Sequence, residues 1–127
     1  MKQKVSDYIA DRIAQWGIRD VFTVTGGGAM HMNDSFGHHP KLHCTYQHHE
    51  QACAMAAEAY ARMDNRMAAV CVTTGPGATN AITGVLGCLD GLYSDAVFSG
   101  QARYATTVPA SGLRFAAWAF RSVILFL

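Results

Sequence analysis

The sequence predicts an α/β domain built on a mostly parallel sheet, and three observations carry that expectation. Short β-branched runs alternate with segments of helical periodicity. The runs end in glycine-rich turns, and strands alternating with helices imply right-handed crossovers. The 127 residues suffice for one domain with a real core. Half of them are hydrophobic and only 15% charged, which suits a piece that buries much of its surface against something else.

The elements follow in order. Ser6 stands where a helix cap belongs, and Tyr8, Ile9, Ile13 and Trp16 recur at helical spacing until Gly17 stops the run. Val21 to Thr25 is a β-rich run ending in Gly26-Gly27-Gly28. Ala29 to Phe36 can form a short helix, closed by Gly37 and broken by Pro40. Leu42 to Tyr46 is the next strand, followed by an alanine-rich helix opening at Glu50. Met67 to Thr74 reads as a buried strand. Gly75-Pro76-Gly77 then turns the chain into a helix from Ala78 to about Gly87, and Val97 to Ser99 is a further strand. There is no internal repeat and no low-complexity linker.

Composition excludes several function classes. A net charge of +1 and a pI near 7.7 give no electrostatic case for nucleic acid. The first residues carry no apolar run, so no signal peptide is expected. Cys44, Cys53, Cys71 and Cys88 are scattered, as reduced thiols of a cytoplasmic protein would be. The apolar tail from Phe115 to Leu127 is 13 residues long and contains Arg121. A bilayer needs about 20 apolar residues, so no membrane span is expected.

Four features bear on chemistry. Glu50 opens a helix whose neighbours, from Ala52 to Ala61, are mostly small, so the helix can lie close to a sheet or another helix. A carboxylate there is either an acid/base group or a first-turn Glu favoured by the helix dipole, and the residues alone favour the second. The triple glycine lets backbone approach a ligand or simply makes a tight turn; His31 stands where a dinucleotide fingerprint needs Gly. Thr73-Thr74-Gly75-Pro76-Gly77-Ala78-Thr79-Asn80 lacks the Lys of a P-loop. It suits equally a rigid ligand loop at the carboxyl end of a strand and a plain βα turn. Six histidines, His31, His38, His39, His43, His48 and His49, show no regular ligand spacing. His49-Glu50-Gln51-Ala52-Cys53 puts Cys where a zinc protease needs His, so no metal site is expected.

Taken in chain order, Val21-Phe22, Gly26-Gly27, His49-Glu50-Gln51-Ala52, Tyr60-Ala61-Arg62, Thr74 to Asn80 and Ser99-Gly100-Gln101 resemble one family. They are similar to the N-terminal pyrimidine-binding domain of thiamine diphosphate enzymes, in the acetolactate synthase-like branch. The resemblance covers residues 1–113 and implies a parallel six-stranded sheet flanked by helices, incomplete at its C-terminal end. It also implies that Glu50 hydrogen-bonds N1′ of the cofactor's aminopyrimidine and favours the imino form, which takes the C2 proton of the thiazolium. Gly26, Gly27, Pro76, Asn80 and Gln101 would line the pyrimidine and substrate side. The implied activity is decarboxylation of a 2-oxo acid substrate and transfer of its acyl carbanion.

Some family features are missing. Val24-Thr25 stand where the family often has Tyr-Pro. No Gly-Asp-Gly motif occurs, so Mg²⁺ and the diphosphate are expected in a missing domain, contributed by a second subunit of a homodimer. On this expectation the chain is an inactive half-site or, alternatively, a non-catalytic binding module; whether FAD binds is open. Two windows, residues 88–96 and the tail 114–127, depart from the family. One choice of codons, read one base later, restores a family-like segment in each, so a frameshifted or truncated product is expected, which sequencing the locus tests.

Overall fold

The computed structural model describes residues 2–90 and 95–100 and the backbone of 124–126. Gln101 lies outside them, as do parts of the 88–96 window and most of the 114–127 tail. The chain opens with α1 (Val5–Gln15), then β1 (Asp20–Thr23), a single 3-10 turn (Gly27–Ala29) and α2 (Met30–His38). It continues through β2 (His43–Tyr46), α3 (Glu50–Asp64), β3 (Ala69–Val72), α4 (Pro76–Asp90), β4 (Ala96–Ser99) and β5 (Ile124–Phe126). The five strands among the described residues are all parallel, in the order β2-β1-β3-β4-β5. The expected parallel sheet flanked by helices is therefore present.

Strand alternation builds two cores. Ala69 and Cys71 of β3 face one side, with Val21, Ala96 and Phe98, against Ala10 and Ile13 of α1 and Met32 and Phe36 of α2. Phe36 and Phe98 meet edge to face at 5.6 Å. Val70 and Val72 face the other side, against Cys53, Ala54 and Ala57 of α3 and Ala81 and Val85 of α4. The small residues foreseen for close packing do that work between α3 and α4. A methyl built on Gly84 would fall 2.5 Å from Ala54 Cβ.

Two local details differ from the sequence expectation. Ser6 does not cap α1: Lys4 holds the N-cap position without a side-chain bond, and Ser6 lies buried in the first turn. The Ser35 hydroxyl donates to Asp7 Oδ1 (2.7 Å) and sits 2.8 Å from Ser6 Oγ, so Ser6 fastens α1 to α2. Helix α4 starts at Pro76 rather than Ala78, because proline has no N–H to leave unpaired and its φ is already helical. Gly17 does end α1. With φ +88°, it donates to Ala14 O while Ile18 N donates to Ile13 O, the two bonds of a Schellman close.

The topology itself points to a place. From β1 the chain passes through α2 to β2 on one flank, and from β3 through α4 to β4 on the other. β1 and β3 are neighbours whose outgoing connections diverge onto opposite faces of the sheet. Open α/β sheets bind ligands in the crevice outside the carboxyl ends of such a strand pair. No helix among the described residues is long and apolar enough to cross a membrane.

Candidate functional site

Beyond the carboxyl ends of β1 and β3 lie the triple glycine and the Thr73-to-Gly75 loop that leads into α4. Thr73 joins them. Its Oγ1 accepts a hydrogen bond from Gly28 N (3.1 Å), and Cβ atoms built on Gly26 and Gly77 would sit 2.5 Å and 2.8 Å from its side chain. Glycine is required at both positions by this close approach. On Gly27 an added methyl would meet nothing within 4 Å, so that residue borders open space. The end of β4 closes the group: Gly100 N donates to Val72 O (3.1 Å), and its own added methyl would strike Gly28 O.

Glu50 enters from the side as the first residue of α3. His49 caps that helix, its Nδ1 accepting from Gln51 N at 3.1 Å. Histidine is outside the usual N-cap set, so nothing in the sequence pointed to this role. Asn80, one turn into α4, donates from Nδ2 to Glu50 Oε2 at 3.0 Å. Glu50 Oε1 lies 3.2 Å from the methyl position of Gly77. The first turns of α3 and α4 thus converge on one carboxylate.

Hydrogen bonding pulls the Glu50 pKa down and burial pushes it up, and the downward pull is the stronger. The Asn80 amide holds the Glu50 carboxyl below its ordinary range, opposed by partial burial and aided by the helix backbone and His49. Glu50 is partly open to solvent. Of the site residues expected from sequence, Gly26, Gly27, Glu50, Pro76 and Asn80 gather around the β1–β3 crevice. Gly26 acts through Thr73, Pro76 starts α4, and Gln101 follows directly on Gly100 in sequence but is not described.

Other chemistry-bearing residues have separate partners. His39 pairs with Asp11 (3.2 Å), His43 with Asp20 (3.4 Å) and His38 with Asp34 (3.2 Å). Burial pushes the thiols of Cys53 and Cys71 up to about 11 and about 12, so both stay protonated. No group of three or more His, Cys, Asp or Glu among the described residues could hold a metal ion. Thr73 was missed as an organiser; a threonine after a strand carries no sequence signal for a partner 45 residues away.

A doubly wound parallel sheet with one carboxylate presented at its switch point defines a ligand-binding α/β domain. A family model described as the thiamine pyrophosphate enzyme N-terminal TPP binding domain matches residues 3–109, and the chain belongs to that family. It is 36% identical over 87 residues to acetolactate synthase 2, chloroplastic, of Zea mays, covering 68% of this chain and 14% of that protein. It is 36% identical over 91 residues to the mitochondrial acetolactate synthase of Schizosaccharomyces pombe (72% and 14%). To the acetolactate synthase large subunit of Haemophilus influenzae it is 32% identical over 96 residues (76% and 17%). The chain thus spans about a sixth or less of these relatives. A solved structure, described as a thiamin diphosphate-dependent enzyme from Mycobacterium smegmatis, shares the fold with a TM-score of 0.71 at 18% identity, over 83% of this chain and 20% of that one.

Proposed function

We propose that this chain is the aminopyrimidine-binding part of a thiamine diphosphate-dependent 2-oxo acid decarboxylase or carboligase of the acetolactate synthase type, and that it is inactive alone. The observation that supports this best is the Glu50 carboxylate, held by Asn80 at the mouth of the β1–β3 crevice. The residues fit an aminopyrimidine. A carboxyl group can share one proton with a ring nitrogen, and the backbone around Gly27 offers an approach free of side chains. When bound, the cofactor supplies a carbanion-stabilising thiazolium.

The chain's own part is to place and move one proton. Glu50 receives or returns it at the ring nitrogen, and Asn80 steadies the carboxylate from behind. Gly26, Gly27 and Pro76 line the ring side. A second domain covering the crevice would strip water from Glu50 and push its pKa up, against the downward pull of Asn80. That domain, in a second subunit, would carry Mg²⁺ and the diphosphate.

Calorimetric titration tests the half-site directly. Thiamine diphosphate with Mg²⁺ should show no measurable binding to the 127-residue chain and clear binding once a diphosphate-binding domain is supplied. Micromolar binding by the chain alone would overturn the proposal.

A further inference from the structure

We propose that Asn80 is a positioning residue that makes the two oxygens of Glu50 unequal, occupying Oε2 and leaving Oε1, beside Gly77, to exchange a proton with a ring nitrogen. This rests on the function proposed above and assigns the atoms within it. The Asn80 amide donates to Oε2 at 3.0 Å, while Oε1 faces the bare Cα of Gly77, whose methyl position is 3.2 Å away. In water the two oxygens are equivalent. Here one already accepts a hydrogen bond, so an incoming proton meets less competition at the other.

The residue types suit the task. Asn80 is a neutral donor: it stabilises the carboxylate without the full charge that would hold a lysine- or arginine-paired Glu ionised. Gly77 keeps Oε1 approachable, since any side chain there would also press on Thr73 Cγ2, 2.8 Å from its methyl position. The step moves one proton: an O–H bond forms at Oε1 as the ring N–H breaks, and the reverse, while Asn80 keeps both amide protons. Among the described residues the ionisable neighbours of Glu50 are few. His49 precedes it and the Cys53 thiol lies one turn on; Pro76 to Asn80 of α4 carry no titratable side chain, nor does Thr73, the residue after β3.

The test reads the Glu50 side-chain carboxyl by ¹³C NMR through the acid range in the 127-residue chain, wild type against Asn80→Ala and Asn80→Asp. Asn80 is exposed, and Asp matches it in size, so both variants should keep the fold. The Glu50 midpoint should move to higher pH in both, further in Asn80→Asp, while Thr79→Ala leaves it in place. A midpoint unmoved in both variants would overturn the role of Asn80. This measurement needs no cofactor, so its failure is separable from failure of the functional reading. In the cofactor-loaded full-length enzyme, Asn80→Ala should shift the pH profile of C2 proton exchange in the same direction as the NMR midpoint. A pH profile that stays put would overturn the assignment of the proton to Oε1.

Discussion

Replacing Gly84 by alanine should weaken the domain, and the atoms around Gly84 say by how much. The new methyl would lie 2.5 Å from Ala54 Cβ and 2.8 Å from both Ala54 C and Met55 N. Two of those three atoms are backbone, so no rotamer change relieves the contact, and α3 and α4 must shift apart. Taken alone, Gly→Ala inside a helix stabilises by about 0.5–1 kcal/mol. Overpacking a filled contact costs about 1–3 kcal/mol. The second effect is the larger, leaving a net loss of about 1 kcal/mol and at most about 2.5, with Tm lower by roughly 4 °C for each kcal/mol lost. Gly87→Ala is the control. Its methyl would meet Glu58 Oε2 at 2.7 Å, side chain rather than backbone; moving Glu58 disturbs its pair with Arg62, but the helix gain offsets part of that, so the change should stay below about 1 kcal/mol. Urea melts followed by circular dichroism measure both. A Gly84→Ala variant as stable as wild type, or a Gly87→Ala variant that is the more damaged, would refute the packing described.

Two further expectations concern the loops and acid stability. Thr73→Val removes the acceptor for Gly28 N–H and should cost about 0.5–1.5 kcal/mol, with faster amide exchange at Gly28; Thr73→Ser should keep the protection. Unchanged exchange in the valine variant would remove Thr73 as the link between the loops. Asp95 is buried, and burial raises its carboxyl pKa although the Cys88 thiol (2.8 Å) and Ala68 N–H (3.4 Å) donate to it. Its charge therefore costs stability above the folded pKa, a cost relieved as pH falls through that value. Relative to wild type, Asp95→Asn should gain urea resistance as pH rises from the ordinary aspartate value, about 3.9, toward neutrality; an opposite slope would contradict the raised pKa.

The order up to β4 was legible because most strands are β-rich runs closed by a turn and the helices keep their period; β5 falls in the tail, where no strand was expected from the residues. Gly17 announced the end of α1 through a conformation that glycine adopts most easily. Ser6 misled, since a good capping residue looks the same inside the first turn, where a partner on α2 claims it. Glu50 could be placed at a helix start from sequence. Its contact with Asn80 spans 30 residues and depends on how α3 meets α4, which no local pattern encodes. The same holds for Thr73, whose role exists only once β1 and β3 are neighbours. The alanine-rich stretch did foretell the close crossing, because small side chains leave little else to separate two helices.

Glu50 is proposed to drive proton exchange on the cofactor, and the rate of C2 hydrogen–deuterium exchange measures that role most directly. In a full-length enzyme carrying this domain, Glu50→Gln keeps the size and hydrogen-bonding capacity of the side chain but cannot pass a proton. Exchange and turnover should fall by roughly 10²–10⁴, the usual contribution of a general acid or base, while cofactor affinity changes little. Glu58, two turns further along α3 and paired with Arg62, is the comparison. Exchange at the wild-type rate in Glu50→Gln, or a slower rate in Glu58→Gln, would contradict the assignment.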